Sequence, residues 1–390
     1  MNLFINDVSD VRGYGDVPKD PVCITAGGYE FSGWETVEVS VGVEVMPWVA
    51  RFEGSDWNPQ GDVEPVLKPG AECVITIGST KVITGWIIFV ERQMTSGRKT
   101  VSVGVASKSV DLVECAAEFF SFQLNSTSVS AVIEKVCAPF GIKVFREKSY
   151  VEATPLTQFA VIMTETGYEI IERLTRLAGC LFYDRPDGNI ALASAGDHRA
   201  ASGFVQGENV EAFSVLNSLA DRYGSVRAIL NTEAVLFNPP PDDASRIVEE
   251  MNLITGEGCV AFDHEVKRHR PLFIPVETGD ANQTVAKRRV QWEVNRRMGR
   301  GQVIRLTCDS WRDKAGNLWS PNTIAPVSLP GGKSDYSGDF LITEVTFRRG
   351  EDGTHADITL MPAVAMSPEP IVPPGQDNPG YVAITEGASK

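Results

Sequence analysis

The sequence lacks the features that mark membrane insertion or a fold held by cysteine chemistry. The closest two of its seven cysteines, Cys115 and Cys137, are 22 positions apart, so no CxxC zinc or redox motif is present. The apolar stretch at residues 82–90 is about half of the ~20 residues that a membrane-spanning helix needs, and Gly85 interrupts it. The amino-terminal MNLFINDV has no basic region typical of a signal peptide. We expect buried, reduced thiols and assembly in a cytoplasm, without membrane insertion.

Positive charge is also scarce. The 390 residues include 36 Lys and Arg against 51 Asp and Glu, and the net charge is -15. Phosphate binding requires a positive surface, so specific binding of nucleic acid is not expected. An acidic surface suits a protein that lets DNA pass without binding it.

Signatures of catalysis are incomplete or missing. His264 and His269 are five positions apart, not the four that would place both ligands of a zinc protease on one helical face. The turn at residues 331–334, GGKS, resembles the end of a phosphate loop, but Val327 occupies the place of its first glycine. No serine stands in G-x-S-x-G. We therefore predict no enzyme activity, no catalytic residue, no cofactor and no metal site, while a glycosidase carboxylate pair stays open because it is a spatial arrangement.

Short strands dominate both ends of the chain. Residues 1–107 are rich in Val, Ile, Thr and Trp, and Pro, Gly and Ser turns divide them into segments of strand length. This pattern predicts a first β-barrel domain. A second β-barrel domain is predicted from residues 222–237 together with residues 301–365. The fold class is therefore mainly β with α+β parts.

Between the two β regions the pattern is mixed. Residues 108–221 predict a small α/β domain, with Ser128 as the N-cap of one helix and a capping box of Thr166 and Glu169 at the start of another. A hairpin follows, with its turn at residues 186–188. Residues 238–300 are predicted to be an insertion that contains a long helix, from about residue 280 to 298. Residues 366–390 carry five prolines and predict an extended tail.

The order of turns and strands repeats between the two β regions. The first copy starts at Lys68-Pro-Gly70 and the second at Ser320-Pro-Asn322. Each continues with a strand, a loop, a strand that begins near a glycine, a glycine turn and a third strand. A duplicated barrel explains this order, and two unrelated small barrels remain the alternative.

Two segments resemble phage baseplate hub proteins. Residues 166–190, TGYEIIERLTRLAGCLFYDRPDGNI, resemble the helix and hairpin of these hubs. Residues 296–322, RRMGRGQVIRLTCDSWRDKAGNLWSPN, are similar to the hub of Mu-like phages. The order of elements fits the family over roughly residues 1–365. The resemblance implies the structural central hub of a contractile phage tail baseplate, assembled as a trimeric ring with two barrels in each chain.

The resemblance also implies the partners and the location. A homotrimer with six similar barrels would match a sixfold tail tube, or a distal tail protein, to a separate trimeric spike. Other baseplate proteins would complete the assembly in the virion tail baseplate, put together in the host cytoplasm. The alternatives are a tail-associated cell-wall hydrolase and a carbohydrate-binding adhesion module. Adhesion would require exposed aromatic side chains, for which the candidates are Trp34, Trp48, Trp57, Trp311 and Trp319.

One segment is strongly basic. Residues 267–300 carry nine Lys and Arg against three Asp and Glu. Two interpretations stay open: a solvated helix face whose arginines lie favourably near the helix C-terminus, or an interface with an acidic neighbour. The candidate interface residues are Lys287, Arg288, Arg289, Arg296, Arg297 and Arg300.

Overall fold

The structure of the chain is a computed structural model. It describes residues 4–7, 20–55, 67–118, 123–152, 156–178, 180–196, 198–230, 259–276, 283–331 and 336–366. Within these ranges the protein is mainly β with a few helices, as the sequence predicted. Trp57, Lys333, Ser334 and residues 367–390 of the predicted tail lie outside the described ranges.

The amino-terminal β region contains eight strands. They are β1 (Phe4–Asp7), β2 (Val22–Ala26), β3 (Tyr29–Ser32), β4 (Thr36–Gly42), β5 (Val49–Ser55), β6 (Glu72–Ile77), β7 (Thr80–Met94) and β8 (Lys99–Ser107). In β4 and β5 burial alternates from residue to residue, because successive side chains of a strand point to opposite faces of the sheet.

Three helices and small sheets form the middle of the chain. The elements are α1 (Val110–Glu114), β9 (Gln123–Thr127), α2 (Val129–Cys137), β10 (Val144–Arg146), β11 (Leu156–Ala160), α3 (Gly167–Ala178), β12 (Leu181–Asp184) and β13 (Ile190–Ala193). The N-cap of α2 is confirmed, because the Ser128 hydroxyl accepts a bond from the Ala131 amide at 3.2 Å. The capping box of α3 is confirmed by reciprocal bonds between Thr166 and Glu169, of 2.8 and 3.2 Å. The predicted hairpin is the antiparallel pair β12 and β13.

The carboxy-terminal half contains ten described strands and one long helix. They are β14 (His198–Arg199), β15 (Phe204–Val205), β16 (Val210–Asn217), β17 (Ser225–Leu230), β18 (Val260–Phe262), β19 (Pro271–Val276), α4 (Gln283–Arg300), β20 (Gln302–Cys308), β21 (Thr323–Leu329), β22 (Tyr336–Gly350) and β23 (Gly353–Met361). The long helix α4 is confirmed and ends two residues later than predicted.

Two sets of five strands share one topology. The first repeat consists of β4 to β8 and is arranged in the order β6-β7-β8-β5-β4, with every neighbouring pair antiparallel. The second repeat consists of β16 and β20 to β23, arranged in the order β21-β22-β23-β20-β16, again antiparallel throughout. Chain order and sheet order therefore match strand by strand, which favours duplication over two unrelated folds.

The two repeats do not form separate closed barrels among the described residues. Their strands belong to one 15-stranded sheet, in which β4 of the first repeat pairs with β22 of the second. The edge of β4 that could have closed the first repeat on itself is thus occupied by the second. A single hydrophobic cluster runs through both repeats, from Val22 to Leu360.

One strand that we predicted for the second β region lies elsewhere. The segment at residues 222–237 contains β17, which pairs with β18 and β19 in a separate three-stranded sheet. That sheet packs on α4, with Val226 and Ala228 against Val290 and Val294. The missing strand of the second repeat is instead β16, which falls inside the predicted α/β region. Residues 231–237 lie outside the described ranges.

Two further expectations need correction. Met366, the first residue of the predicted tail, is only 1% exposed and packs with Leu341 and Ala365. The ordered core therefore extends one residue into that segment. Six of the seven cysteines are buried and free, as expected, whereas Cys115 is exposed.

Candidate assembly interface

The turns that open the repeated strand pairs are equivalent in detail. In the first repeat, Gly70 has a φ of 82° and donates its amide to the carbonyl of Ile87 at 2.8 Å. In the second repeat, Asn322 has a φ of 58° and donates to the carbonyl of Ile342 at 2.9 Å. The left-handed backbone at this position favours Gly, and Asn is among the few other residues that tolerate it. The repeat therefore extends to individual backbone bonds.

The central strands of the repeats are also equivalent. Both β7 and β22 have 15 residues, far longer than their neighbours. Each carries one bulge in its pairing with the strand that follows it in the chain. The bulge lies between Ile87 and Phe89 in the pairing of β7 with β8, and between Ile342 and Glu344 in the pairing of β22 with β23. A bulge inserts one extra residue and bends the strand, so both strands bend at the same place.

Beyond its bulge, β22 pairs with β4, and this pairing joins the two repeats. Phe347 lies opposite Val39, and both side chains are buried. On the other face, the hydroxyls of Ser40 and Thr346 are 3.0 Å apart. We call this pairing the internal junction. In the internal junction, β4 pairs with the same edge of β22 that pairs with β21 in the part of the strand before the bulge.

The corresponding edge of the first repeat is open. Beyond its bulge, residues 88–94 of β7 pair with β8 on one side, and no described strand pairs with them on the other. Met94 is 74% exposed and Phe89 is 40% exposed. At the far end of the sheet, β20 is the one described strand that pairs with β16, apart from an isolated bridge between Val210 and Gln206, and Leu216 is 49% exposed. Such edges are templates for pairing with another chain.

The basic residues predicted as an interface lie on α4, and several are engaged within the chain. Glu293 is 8% exposed and receives bonds of 2.6 Å from both Arg289 and Arg297. Burial alone would raise the pKa of Glu293, but the bonds and charges of the two guanidinium groups hold that pKa below its usual range. Arg297 also donates to the carbonyl of Asp221 at 2.9 Å.

The remaining members of this set differ in their surroundings. The guanidinium groups of Arg289 and Arg296 lie 4.9 and 5.3 Å from the ring centre of Trp292, in cation–π geometry. Arg300 forms an ion pair with Glu44 and donates to the carbonyl of Ala365 at 3.2 Å. Lys287 is exposed, and the side chain of Arg288 lies outside the described residues. The sequence could not show that α4 packs against these distant acceptors.

A buried carboxylate that the sequence analysis did not single out links the α/β region to the first repeat. Asp184, 1% exposed, accepts bonds from the hydroxyls of Ser107 at 2.6 Å and Ser109 at 2.8 Å, and from the Trp48 amide at 2.9 Å. Burial raises the pKa of Asp184, and these bonds oppose the rise. The donors hold the carboxylate in place, so its role is structural.

Features expected of the alternative functions are sparse in the described parts of the chain. No group of three or more His, Cys, Asp or Glu side chains with metal-binding geometry occurs there. Trp34, Trp48, Trp311 and Trp319 are each at most 4% exposed, so they are not available to bind sugars. None of the helices described is long and apolar enough to cross a membrane.

Comparisons with known proteins agree along the chain. Residues 21–105 match the family described as the N-terminal domain of Mu phage baseplate assembly protein GpP-like proteins. Residues 109–194 match the second domain of baseplate hub protein gp44-like, and residues 282–369 match the fourth domain of Mu phage baseplate assembly protein GpP. The three matches follow one another without overlap and account for most of the described sequence.

Individual relatives point the same way. The chain is 27% identical to baseplate hub protein gp44 of Escherichia phage Mu over 349 residues, which is 88% of each chain. The crystal structure of the 43 kDa tail protein of prophage MuSo2 from Shewanella oneidensis matches with a TM-score of 0.74 at 26% identity, covering 90% of this chain and 100% of that one. The tail protein from Neisseria meningitidis MC58, at 16% identity and a TM-score of 0.71, shares the fold over 90% of this chain and 98% of its own. The chain therefore belongs to the baseplate hub family of Mu-like phages.

Proposed function

We propose that this chain is the central structural hub of a contractile tail baseplate, a homotrimer that adapts a sixfold tail tube to a separate threefold spike. The observation that carries the proposal is the duplication within the chain, since both repeats arrange their five strands in one order. Three chains in a closed ring present six similar units, and a cyclic ring uses each interface once per copy. The family to which the chain belongs supports a structural baseplate role.

The partners follow from the proposed position. One face of the ring contacts the tail tube or a distal tail protein, the opposite face seats the spike, and other baseplate proteins surround it. The location is the virion tail baseplate, after assembly in the host cytoplasm. The net charge of -15 supports an acidic lumen that DNA crosses without binding.

We also propose that the domain division predicted from the sequence applies with one change: β16 takes the place of residues 222–237 in the second β domain. Within the basic set on α4, the exposed Lys287 is the residue best placed to contact an acidic partner. The arginines of this helix that have acceptors inside the chain stabilise the fold instead.

The proposal excludes a cell-wall hydrolase and an adhesion module as the main function. The buried Asp184 is held by hydroxyl and amide donors, and the four described tryptophans of the adhesion set are buried. Zymography on peptidoglycan and glycan-array binding test these alternatives, and cleared bands or saturable sugar binding would support them.

Oligomeric mass is the direct test of the hub. Light scattering over a concentration series should approach three times 42.4 kDa. Projection images of the same sample should show rings with six similar densities. A protein that remains monomeric at every concentration, or forms only twofold dimers, contradicts the ring.

A further inference from the structure

We infer that the ring closes by strand pairing between copies: β16 of one copy pairs antiparallel with residues 88–94 of β7 in the next copy. The register is that of the internal junction between β4 and β22. This inference rests on the proposed trimer and specifies its interface. The occupant of the open edge of β7 is therefore a second copy of this chain.

The long strands β7 and β22 correspond residue by residue beyond their bulges. Immediately before their bulges, Ile87 lies opposite Val105 and Ile342 lies opposite Leu360. Counting on from the bulges gives the equivalent positions of β7 and β22. They are Val90 and Val345, Glu91 and Thr346, Arg92 and Phe347, Gln93 and Arg348, and Met94 and Arg349.

Strands β4 and β16 also correspond residue by residue. Ala50 of β5 lies opposite Val105 of β8, and Ile304 of β20 lies opposite Leu360 of β23. Ala50 and Ile304 therefore correspond. Val39 lies opposite Ala50, and Val215 lies opposite Ile304. The neighbouring equivalents are Val37 and Phe213, Glu38 and Ser214, Ser40 and Leu216, and Val41 and Asn217.

The internal junction provides the register between copies once each of its residues is exchanged for the equivalent residue of the other repeat. At the internal junction the opposed residues are Val345 and Val41, Thr346 and Ser40, Phe347 and Val39, Arg348 and Glu38, and Arg349 and Val37. Replacing each by its equivalent gives the opposed residues between copies. They are Val90 with Asn217, Glu91 with Leu216, Arg92 with Val215, Gln93 with Ser214, and Met94 with Phe213 of the neighbouring copy.

The two open edges fit each other in length and in burial. The open stretch of β7 has seven residues and β16 has eight. Val90, Phe213 and Val215 all pack at the margin of the main hydrophobic cluster and are only partly buried in one chain. At the internal junction the equivalent side chains are buried. Pairing would therefore extend the core across the interface while supplying hydrogen bonds to both edges.

A ring closes only at particular rotations between neighbouring copies. The surfaces on the two sides differ, so the contact is heterologous, and it closes only if the rotation per step divides a full turn. If neighbouring copies are related by the same rotation as the two repeats within one chain, the six repeats of a trimer are all related by similar rotations. The edge of β16 and the open stretch of β7 are then both covered in every copy.

Cysteine pairs test the register directly. All variants carry Cys115→Ser, which removes the exposed native thiol. The in-register pairs are Glu91→Cys with Leu216→Cys, and Arg92→Cys with Val215→Cys. Successive opposed pairs alternate between wide and close spacing in an antiparallel ladder, so testing two neighbours includes one close pair. After mild oxidation, non-reducing gels should show covalent dimers and trimers for at least one of them.

The same four cysteines provide the matched control when they are exchanged. Glu91→Cys with Val215→Cys, and Arg92→Cys with Leu216→Cys, are one residue out of register, which points the two thiols to opposite faces of the sheet. These variants should remain largely monomeric on the gel. Ser40→Cys with Thr346→Cys at the internal junction is the control for the oxidation itself. Its disulfide forms within one chain and therefore yields no oligomer.

The outcomes separate this inference from the proposed function. A trimeric mass with no in-register cross-link, or with equal cross-linking out of register, overturns the strand pairing and leaves the trimer standing. A protein that never reaches the trimeric mass overturns both. In-register cross-links that convert the sample into covalent trimers support both.

Discussion

The hydroxyl of Ser107 donates a 2.6 Å hydrogen bond to the carboxylate of Asp184 in a site from which solvent is excluded. Ser107 ends β8 of the first repeat, and Asp184 ends β12 of the α/β region. The same carboxylate oxygen also accepts the amide of Trp48, which precedes β5. One side chain thus fixes the α/β region against two strands of the sheet.

Removing this carboxylate should destabilise the fold. Asp184→Ala removes an acceptor shared by three donors, although the Trp48 amide also donates to the Ser107 hydroxyl at 3.0 Å and the hydroxyls of Ser107 and Ser109 are 3.0 Å apart. We expect the free energy of unfolding to fall by about 1–3 kcal/mol, the cost of an unsatisfied buried group. Asp184→Asn keeps one acceptor oxygen and should cost less. Urea titration followed by circular dichroism measures both, and equal losses in the two variants would contradict this account.

The pH dependence of stability should change in a defined direction. Burial raises the pKa of Asp184, so the folded state binds this proton more tightly than the unfolded chain does. The contribution of this group to stability is therefore greatest below its unfolded pKa, and it declines as the pH rises through the folded pKa. Relative to Asp184→Asn, the native protein should gain stability as the pH is lowered from neutrality. Melting curves over a pH series test this, and a relative loss of stability would contradict it.

Asn322 should be sensitive to substitution for two separable reasons. Its backbone is left-handed, and its buried side chain accepts the Gly196 amide at 2.7 Å and donates to the Ser194 carbonyl at 2.9 Å. Asn322→Gly loses only the side-chain bonds, whereas Asn322→Ala also strains the backbone, by about 1–2 kcal/mol. We expect Ala to be the less stable variant in thermal melts.

The equivalent turn provides the control. Gly70 has the same backbone conformation, and a Cβ added there would meet no atom within 4 Å. Gly70→Ala should therefore show the strain alone, at about 1–2 kcal/mol. A neutral Gly70→Ala would show that the turns are not equivalent.

The features that sequence could predict are local. The capping box of Thr166 and Glu169, the Ser128 cap and the repeated proline turns depend on residues within a few positions of one another. The pairing of β4 with β22 joins segments about 300 residues apart, and no local pattern specifies which strand edge will be covered. For the same reason, the sequence assigned β17 to a sheet that it does not join.

The candidate interface shows the same limit. Charge alone identified the basic face of α4, but apart from the nearby Glu293 the acceptors of Arg297 and Arg300 are Asp221, Glu44 and Ala365, far away in sequence. The open edges of β7 and β16 were not predicted, because an edge is recognised only once its neighbours are known. What the sequence did contain was the duplication, from which their pairing follows.

The carboxy-terminal boundary of the fold should lie at Met366. This side chain is 1% exposed against Leu341 and Ala365, so Met366→Ala should cost about 2–5 kcal/mol, typical of a buried methionine. Truncation after Met366 removes only a proline-rich segment and should shift the melting temperature by less than about 2 °C. Truncation after Ala365 should resemble Met366→Ala, and indistinguishable melting of all three variants would contradict this boundary.

Charge reversal on α4 should separate stability from assembly. Arg297→Glu removes one of the two guanidinium groups that hold the pKa of Glu293 low, and it places a second carboxyl group beside this buried side chain. We expect a marked loss of stability in this variant.

Lys287→Glu alters an exposed position on the same helix and should leave melting unchanged while weakening assembly with baseplate partners. Because exposed charges are screened over about 8 Å at physiological ionic strength, the assembly defect should shrink as salt is added. Pull-down of the baseplate proteins across a salt series measures it, with Lys287→Gln as the neutral comparison. Equal recovery of partners by both variants and the native protein would remove Lys287 from the interface and leave α4 a purely structural helix.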